Sequence, residues 1–166
     1  MRDLTGFQFR KLQKVNAWAT PTAAGEKLGL HGQFGVKKSI EPLFAVADAT
    51  PEEMLATYPD GSAAVAIRKS KNGSSLFVGP PGLSPSLLRL AARQADVHLF
   101  TQTDCNVYAN GPFIVLHGSQ DGAMEIDTGS TGAVSDLLTG QTLGTGPKIS
   151  LPLEKGQTKV LLVHAP

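Results

Sequence analysis

Residues 60–78 read DGSAAVAIRKSKNGSSLFV, and this stretch decides the fold. Asp60-Gly61 opens a strand over Ala63 to Lys69, with Val65 and Ile67 on one face. Lys71-Asn72-Gly73 then supplies a tight turn, because Asn-Gly tolerates the positive φ values of a two-residue loop. Ser75-Leu76-Phe77-Val78 is the return strand. The same triplet, Asn72-Gly73-Ser74, has the form of a glycosylation sequon. A hairpin this clear makes antiparallel pairing the expected theme of the chain.

Upstream, Lys14 to Thr20 and Phe34 to Val46 are strand candidates, both interrupted. Thr50-Pro51-Glu52-Glu53 has the form of a capping box with proline at the first helical position, predicting a short helical turn through Ala56. Downstream, Ser84 and Pro85 cap and open a helix running to Ala95. Leu87, Leu90, Ala91 and Ala95 form its apolar stripe, with Ser86, Arg89 and Arg93 outside. After Asp96 the pattern is one of strands: Val97 to Thr101, Val107 to Ala109, Phe113 to His117, Ala123 to Ile126, Val134 to Leu138, Ile149 to Leu153 and Lys159 to His164. Gly-rich turns separate them, and Gly140 to Gly146 reads as one of those turns. Even spacing of short strands suits an antiparallel sandwich or small barrel. The expected class is mainly β (α+β): an antiparallel β-sandwich or sheet with one principal helix, divided into residues 1–96 and 97–166.

The 166 residues carry 15 basic and 14 acidic side chains. That balance gives no electrostatic case for nucleic acid or an anionic membrane as partner. Lys37-Lys38 and Arg68-Lys69 read as solvated strand or loop ends. Met1 to Gly6 has no apolar core of signal-peptide length, so the chain as written reads as cytoplasmic, and no segment is long and apolar enough to span a bilayer. Cys105 is the sole cysteine, which excludes an intrachain disulfide and a thiolate metal site. It reads as a small buried or half-buried thiol.

The chemistry-bearing residues form no recognised motif. Gly140 to Gly146 lacks the lysine-serine/threonine ending and the following helix of a phosphate loop. Ser119 sits between Gly118 and Gly122 at the wrong spacing for a nucleophile elbow and leads to no helix. His31, His98, His117 and His164 show no metal-ligand spacing. His117 and His164 fall on apolar strand faces and read as half-buried packing residues, and neither a metal nor a cofactor is expected. Glu125 and Asp127 stand two apart on one strand and share a face, a spacing that suits either a glycosidase carboxyl pair or two solvated acids. Trp18, Tyr58 and Tyr108 are the aromatic residues, besides phenylalanine, that a sugar ring would need. Trp18 reads as core.

Taken in order, Tyr58-Pro59-Asp60-Gly61-Ser62-Ala63-Ala64-Val65, Ser75-Leu76-Phe77-Val78-Gly79, the helix Ser84 to Ala95 and Asp96-Val97-His98 resemble segments near the end of β-galactosidase-like enzymes of glycoside hydrolase family 42. Leu4-Thr5-Gly6, Val107-Tyr108-Ala109-Asn110-Gly111-Pro112-Phe113 and Val134-Ser135-Asp136-Leu137-Leu138-Thr139-Gly140 fit the same order. The resemblance implies that residues 1–96 are the tail of an amidotransferase-like trimerisation domain and that 97–166 are a terminal β-sandwich. It also implies that the catalytic glutamates lie on a (β/α)8 barrel elsewhere, so none is carried onto this chain.

The function expected is a non-catalytic structural or assembly module of a carbohydrate-active protein, associating with itself or with an upstream catalytic domain. The alternative is a small glycoside hydrolase acting on β-glycosides through Glu125 and Asp127.

Overall fold

The computed structural model describes residues 2–71 and 73–165, so Asn72, which carries the expected turn and sequon, lies outside the described residues. The chain divides into two compact units, 1–97 and 98–166. Strands dominate, and every strand pairing among the described residues is antiparallel.

The first unit holds α1 (Arg2–Thr5), β1 (Phe9–Leu12), β2 (Asn16–Pro21), α2 (Ala23–Lys27), β3 (Phe34–Ser39), β4 (Leu43–Val46), β5 (Met54–Thr57), β6 (Ala63–Ser70), β7 (Gly73–Val78) and α3 (Pro85–Gln94). Its sheet runs β1-β4-β6-β5-β2-β3, with β7 also on β6. The β6–β7 hairpin is in unbroken register from Val65↔Val78 to Ser70↔Gly73. Ala63 through Ile67 are all buried, which makes β6 the spine of the unit. Leu87 and Leu90 of α3 are buried in the core it shares with Leu43, Leu55, Val65 and Ile67.

The helix begins as its sequence dictates, with the Leu87 N–H donating to the Ser84 hydroxyl and Pro85 following. It ends in a Schellman motif. The Val97 N–H reaches the Ala92 carbonyl, the Asp96 N–H reaches that of Arg93, and Asp96 takes φ +52°. Arg93 is exposed and Arg89 half-buried, but Ala95 is exposed instead of joining the apolar stripe, because it already belongs to the unwinding cap.

The interrupted candidate Phe34 to Val46 is two strands, β3 and β4, parted around Pro42. Three other expectations for this unit need correction. The Thr50–Glu53 box forms, with the Thr50 N–H donating to Glu53 Oε2 and the Glu53 N–H to the Thr50 hydroxyl, yet no helix follows. Met54–Thr57 is strand β5 instead, since pairing with β6 and β2 offers its backbone more partners than one isolated turn. Trp18 is half-buried, lying under the Lys37 ammonium at 5.1 Å instead of in the core, while its neighbours Ala17 and Ala19 point inward. Arg68 is no solvated strand end. All five of its N–H donors are used: on both Glu53 carboxylate oxygens, Asp48 Oδ2, and the carbonyls of Gly6 and Asp48.

The second unit holds β8 (Cys105–Asn110), β9 (Phe113–Gly118), β10 (Gly122–Asp127), β11 (Ala133–Asp136), β12 (Thr142–Thr145), β13 (Lys148–Leu153) and β14 (Thr158–Val163). A five-stranded sheet, β12-β11-β14-β9-β8, and the β10–β13 pair enclose one core of Ile114, Leu116, Met124, Ile126, Val134, Ile149, Leu151, Leu153 and Leu161. This is the sandwich the spacing called for. Two details differ. Residues 97–101 form no strand, although the Asp127 N–H donates to the Phe100 carbonyl. The glycine-rich stretch contains β12, paired with β11 across a register shift at Val134/Ser135. Gly144 meets the geometry there with φ +158°.

Candidate functional site

On β10, Met124 and Ile126 face the core, which sends Glu125 and Asp127 to the other side. The sequence-based pairing of these two acids on one face therefore holds. They border a shallow groove of about 110 Å³ with Phe100, Thr101, Gln102 and Lys148. That volume is well under the roughly 300–1,000 Å³ of ordinary ligand pockets.

Neither carboxyl is enclosed. The Glu125 side chain is 71% exposed and its Oε1 lies 3.6 Å from Lys148 Nζ. Asp127 accepts the Gly129 N–H at 3.0 Å, the turn contact typical of aspartate leaving a strand. His98 Nε2 is 3.8 Å from Asp127 Oδ1 and 2.9 Å from the Asp127 backbone oxygen. A glycosidase acid is kept protonated by burial or by a neighbouring carboxylate. Here the close neighbours of the two acids are Lys148 and His98.

The other candidates are distributed, not gathered. The Ser119 hydroxyl donates to the Asp104 carbonyl and ties down its loop. His117 is exposed, bound through Nδ1 to the Thr158 hydroxyl across the β9–β14 pair at 2.9 Å. His164 is also exposed, with Nε2 on the Ser135 hydroxyl at 2.9 Å. Both had been expected to pack half-buried. They sit instead on the outer face of their sheet, because Ile114, Leu116 and Leu161 of alternate parity fill the core. His98 and His164 do border one open hollow of about 410 Å³, together with Phe100, Pro112, Thr128 and Ser130. No group of three or more His, Cys, Asp or Glu able to hold a metal ion occurs among the described residues. Cys105 is half-buried against the second core.

Among the aromatics, Tyr108 is 68% exposed. Tyr58 is buried and donates to the Phe44 carbonyl, and burial pushes its phenol well above the ordinary range. Gly79 leaves the space that hydroxyl occupies: a Cβ there would collide with the Tyr58 oxygen and the Phe44 carbonyl. Tyr58 is therefore a structural residue and offers no face to a sugar.

Two features went unread in the sequence. One is an apolar pocket of about 190 Å³ bordered by Phe7, Phe9, Phe44, Leu76 and Phe77. Its signal was Phe7-x-Phe9, two phenylalanines at strand period, but the partners come from β4 and β7. The other is the Arg68 cluster. The Arg68 hydrogen bonds hold the Glu53 carboxyl below its usual value. The Gln8 N–H, then Arg68, does the same for Asp48. Among the described residues no helix is long and apolar enough to cross a membrane.

No protein family and no curated protein matches the chain. Among solved structures it is similar to the crystal structure of β-galactosidase from Bacillus circulans sp. alkalophilus, with a TM-score of 0.57 at 18% identity. The alignment covers 98% of this chain and 25% of that one, so the chain spans about a quarter of that β-galactosidase's length. At this identity the likeness is one of fold: nearly the whole chain, both units included, follows a path also taken within a β-galactosidase.

Proposed function

We propose that the chain is a non-catalytic structural or assembly module of a carbohydrate-active, β-galactosidase-like protein. The observation that carries the reading is the fold likeness, which takes in 98% of this chain but only 25% of the β-galactosidase. In this reading residues 1–96 are the tail of an amidotransferase-like trimerisation domain and residues 97–166 the terminal sandwich. A (β/α)8 barrel needs about 200 residues and parallel strands. The pairings described above are antiparallel, which supports a reading in which no such barrel is part of this chain.

The second reading, a small glycosidase working through Glu125 and Asp127, is favoured by one observation: both acids border the same groove. Their exposure and the salt bridge to Lys148 weigh against it. Turnover of an aryl β-galactoside by the purified chain separates the two. The module reading expects no release above buffer. Release that falls by several orders of magnitude in Glu125→Gln and in Asp127→Asn, made separately, would overturn it in favour of the groove.

A further inference from the structure

A sheet ends in strands whose outer N–H and C=O groups have no partner, and proteins blunt such edges with charges, proline, bulges or short strands. In this chain the edges differ sharply. β1 carries Arg10 and Lys11, and β3 carries Lys37 and Lys38. β10 carries Glu125 and Asp127, and β13 carries Lys148 and Pro152. β12 has four residues and a register shift. β7 is uncharged, but Leu76 and Phe77 border the phenylalanine pocket with Phe9 and Phe44 beyond them.

β8, at the end of the five-stranded sheet, has none of these devices. It reads Cys-Asn-Val-Tyr-Ala-Asn, six residues with no charge and no proline. Its register on β9 is unbroken from Cys105↔Gly118 to Asn110↔Phe113. Asn106, Tyr108, Ala109 and Asn110 are exposed. The Gly118 N–H bonds Gln157 on the β14 side, so alternation along the ladder turns the N–H and C=O of Val107 and Ala109 outward from β8.

We propose that β8 is an assembly edge that pairs antiparallel with β8 of a second copy of this chain, joining two five-stranded sheets into one. The inference deepens the assembly reading and rests on it only for its purpose. A second copy is favoured over another partner by charge. A two-fold pairing centred on Tyr108 sets that residue against its own symmetry mate, Asn106 against Asn110 of the second copy and Val107 against its Ala109, so no charge is brought against its like. The uncharged sequence of β8 suits that self-opposition, and it gives an acidic or basic foreign strand nothing to recognise. The backbone ladder supplies the contacts, and Tyr108 lies on the outer face of the joined sheet.

The test uses the whole chain and two variants. Ala109→Pro removes an outward N–H at a position where an edge strand accepts proline. Tyr108→Lys leaves the ladder intact and places a lysine near its own mate. Circular dichroism first establishes that both variants fold. Light scattering at rising concentration should give twice the chain mass for the wild type and the single-chain mass for the folded variants. Val107 and Ala109 amide exchange in the wild type should slow several-fold as concentration rises.

A wild type that stays at single-chain mass overturns the edge pairing and leaves of the assembly reading only association with a catalytic domain. Association that survives in both variants, with unprotected Val107 and Ala109 amides, overturns the edge and leaves the assembly reading in place. Should one variant fail to fold, the other variant and the amide exchange decide.

Discussion

Arg68 shows how much one side chain organises in this chain. Its guanidinium joins Gly6, just after α1, to the segment between β4 and β5, stacks over the Phe7 ring at 4.5 Å, and draws on two carboxylates at once. The Glu53 carboxylate it holds also receives the Thr50 N–H, so the turn before β5 is pinned from both sides. Arg68→Met would leave Glu53 and Asp48 part-buried without their cation. The expected loss is on the order of 2–3 kcal/mol, the scale of a hydrogen bond to a charged group, measured by urea unfolding at neutral pH.

The pH dependence carries the sign of this arrangement. Both carboxyls ionise more easily in the folded chain than at their ordinary values of 4.5 and 3.8. Their contribution is therefore complete above those values and is lost as pH falls through the lower folded ones. Wild type should destabilise progressively below about pH 4.5. Arg68→Met should flatten the part owed to Glu53, whose largest cause is the Arg68 hydrogen bond. It should keep much of the part owed to Asp48, whose largest cause is the Gln8 N–H. An unchanged acid slope in the variant would show that the cluster is not the source.

At the scale of elements, α3 gives the cleanest experiment. Leu90 is buried and Leu88, two residues away, is 51% exposed. Leu90→Ala should cost about 2–5 kcal/mol through the cavity it leaves, and Leu88→Ala under about 0.5 kcal/mol. Asp96→Gly should act in the opposite direction. Asp96 is a non-glycine residue in the left-handed region, and relieving that conformation should stabilise the fold by about 1 kcal/mol. Equal losses at Leu88 and Leu90 in thermal or urea unfolding would contradict the helix's assigned face.

The helix was legible because everything that defines it is local: a serine cap, a proline at N1 and a 3.6-residue stripe. The β6–β7 hairpin was legible for the same reason. Met54–Thr57 was misread because its turn signal is also local and is real, while its strand state depends on β6 and β2, which no nearby residue announces. β12 was hidden inside glycines whose usual meaning is a turn. The Glu125–Asp127 face followed from strand period alone. The company those acids keep did not, because Lys148 and His98 reach them from other segments. The Arg68 cluster was invisible for that reason too: its partners come from residues 6, 48 and 53.

For the molecule as a whole, each of two units has its own buried core, and the fold is shared with part of a β-galactosidase. The proposed assembly role requires surface committed to a partner, and the uncharged β8 edge, exposed at Asn106, Tyr108, Ala109 and Asn110, is the surface we propose for it. Association then shifts with concentration by mass action. Sedimentation equilibrium of the untagged chain over a hundredfold concentration range tests this most directly. The account predicts a mean mass that climbs from the 17.4 kDa of one chain to at least twice that value. A mass fixed at 17.4 kDa across the whole range would contradict it.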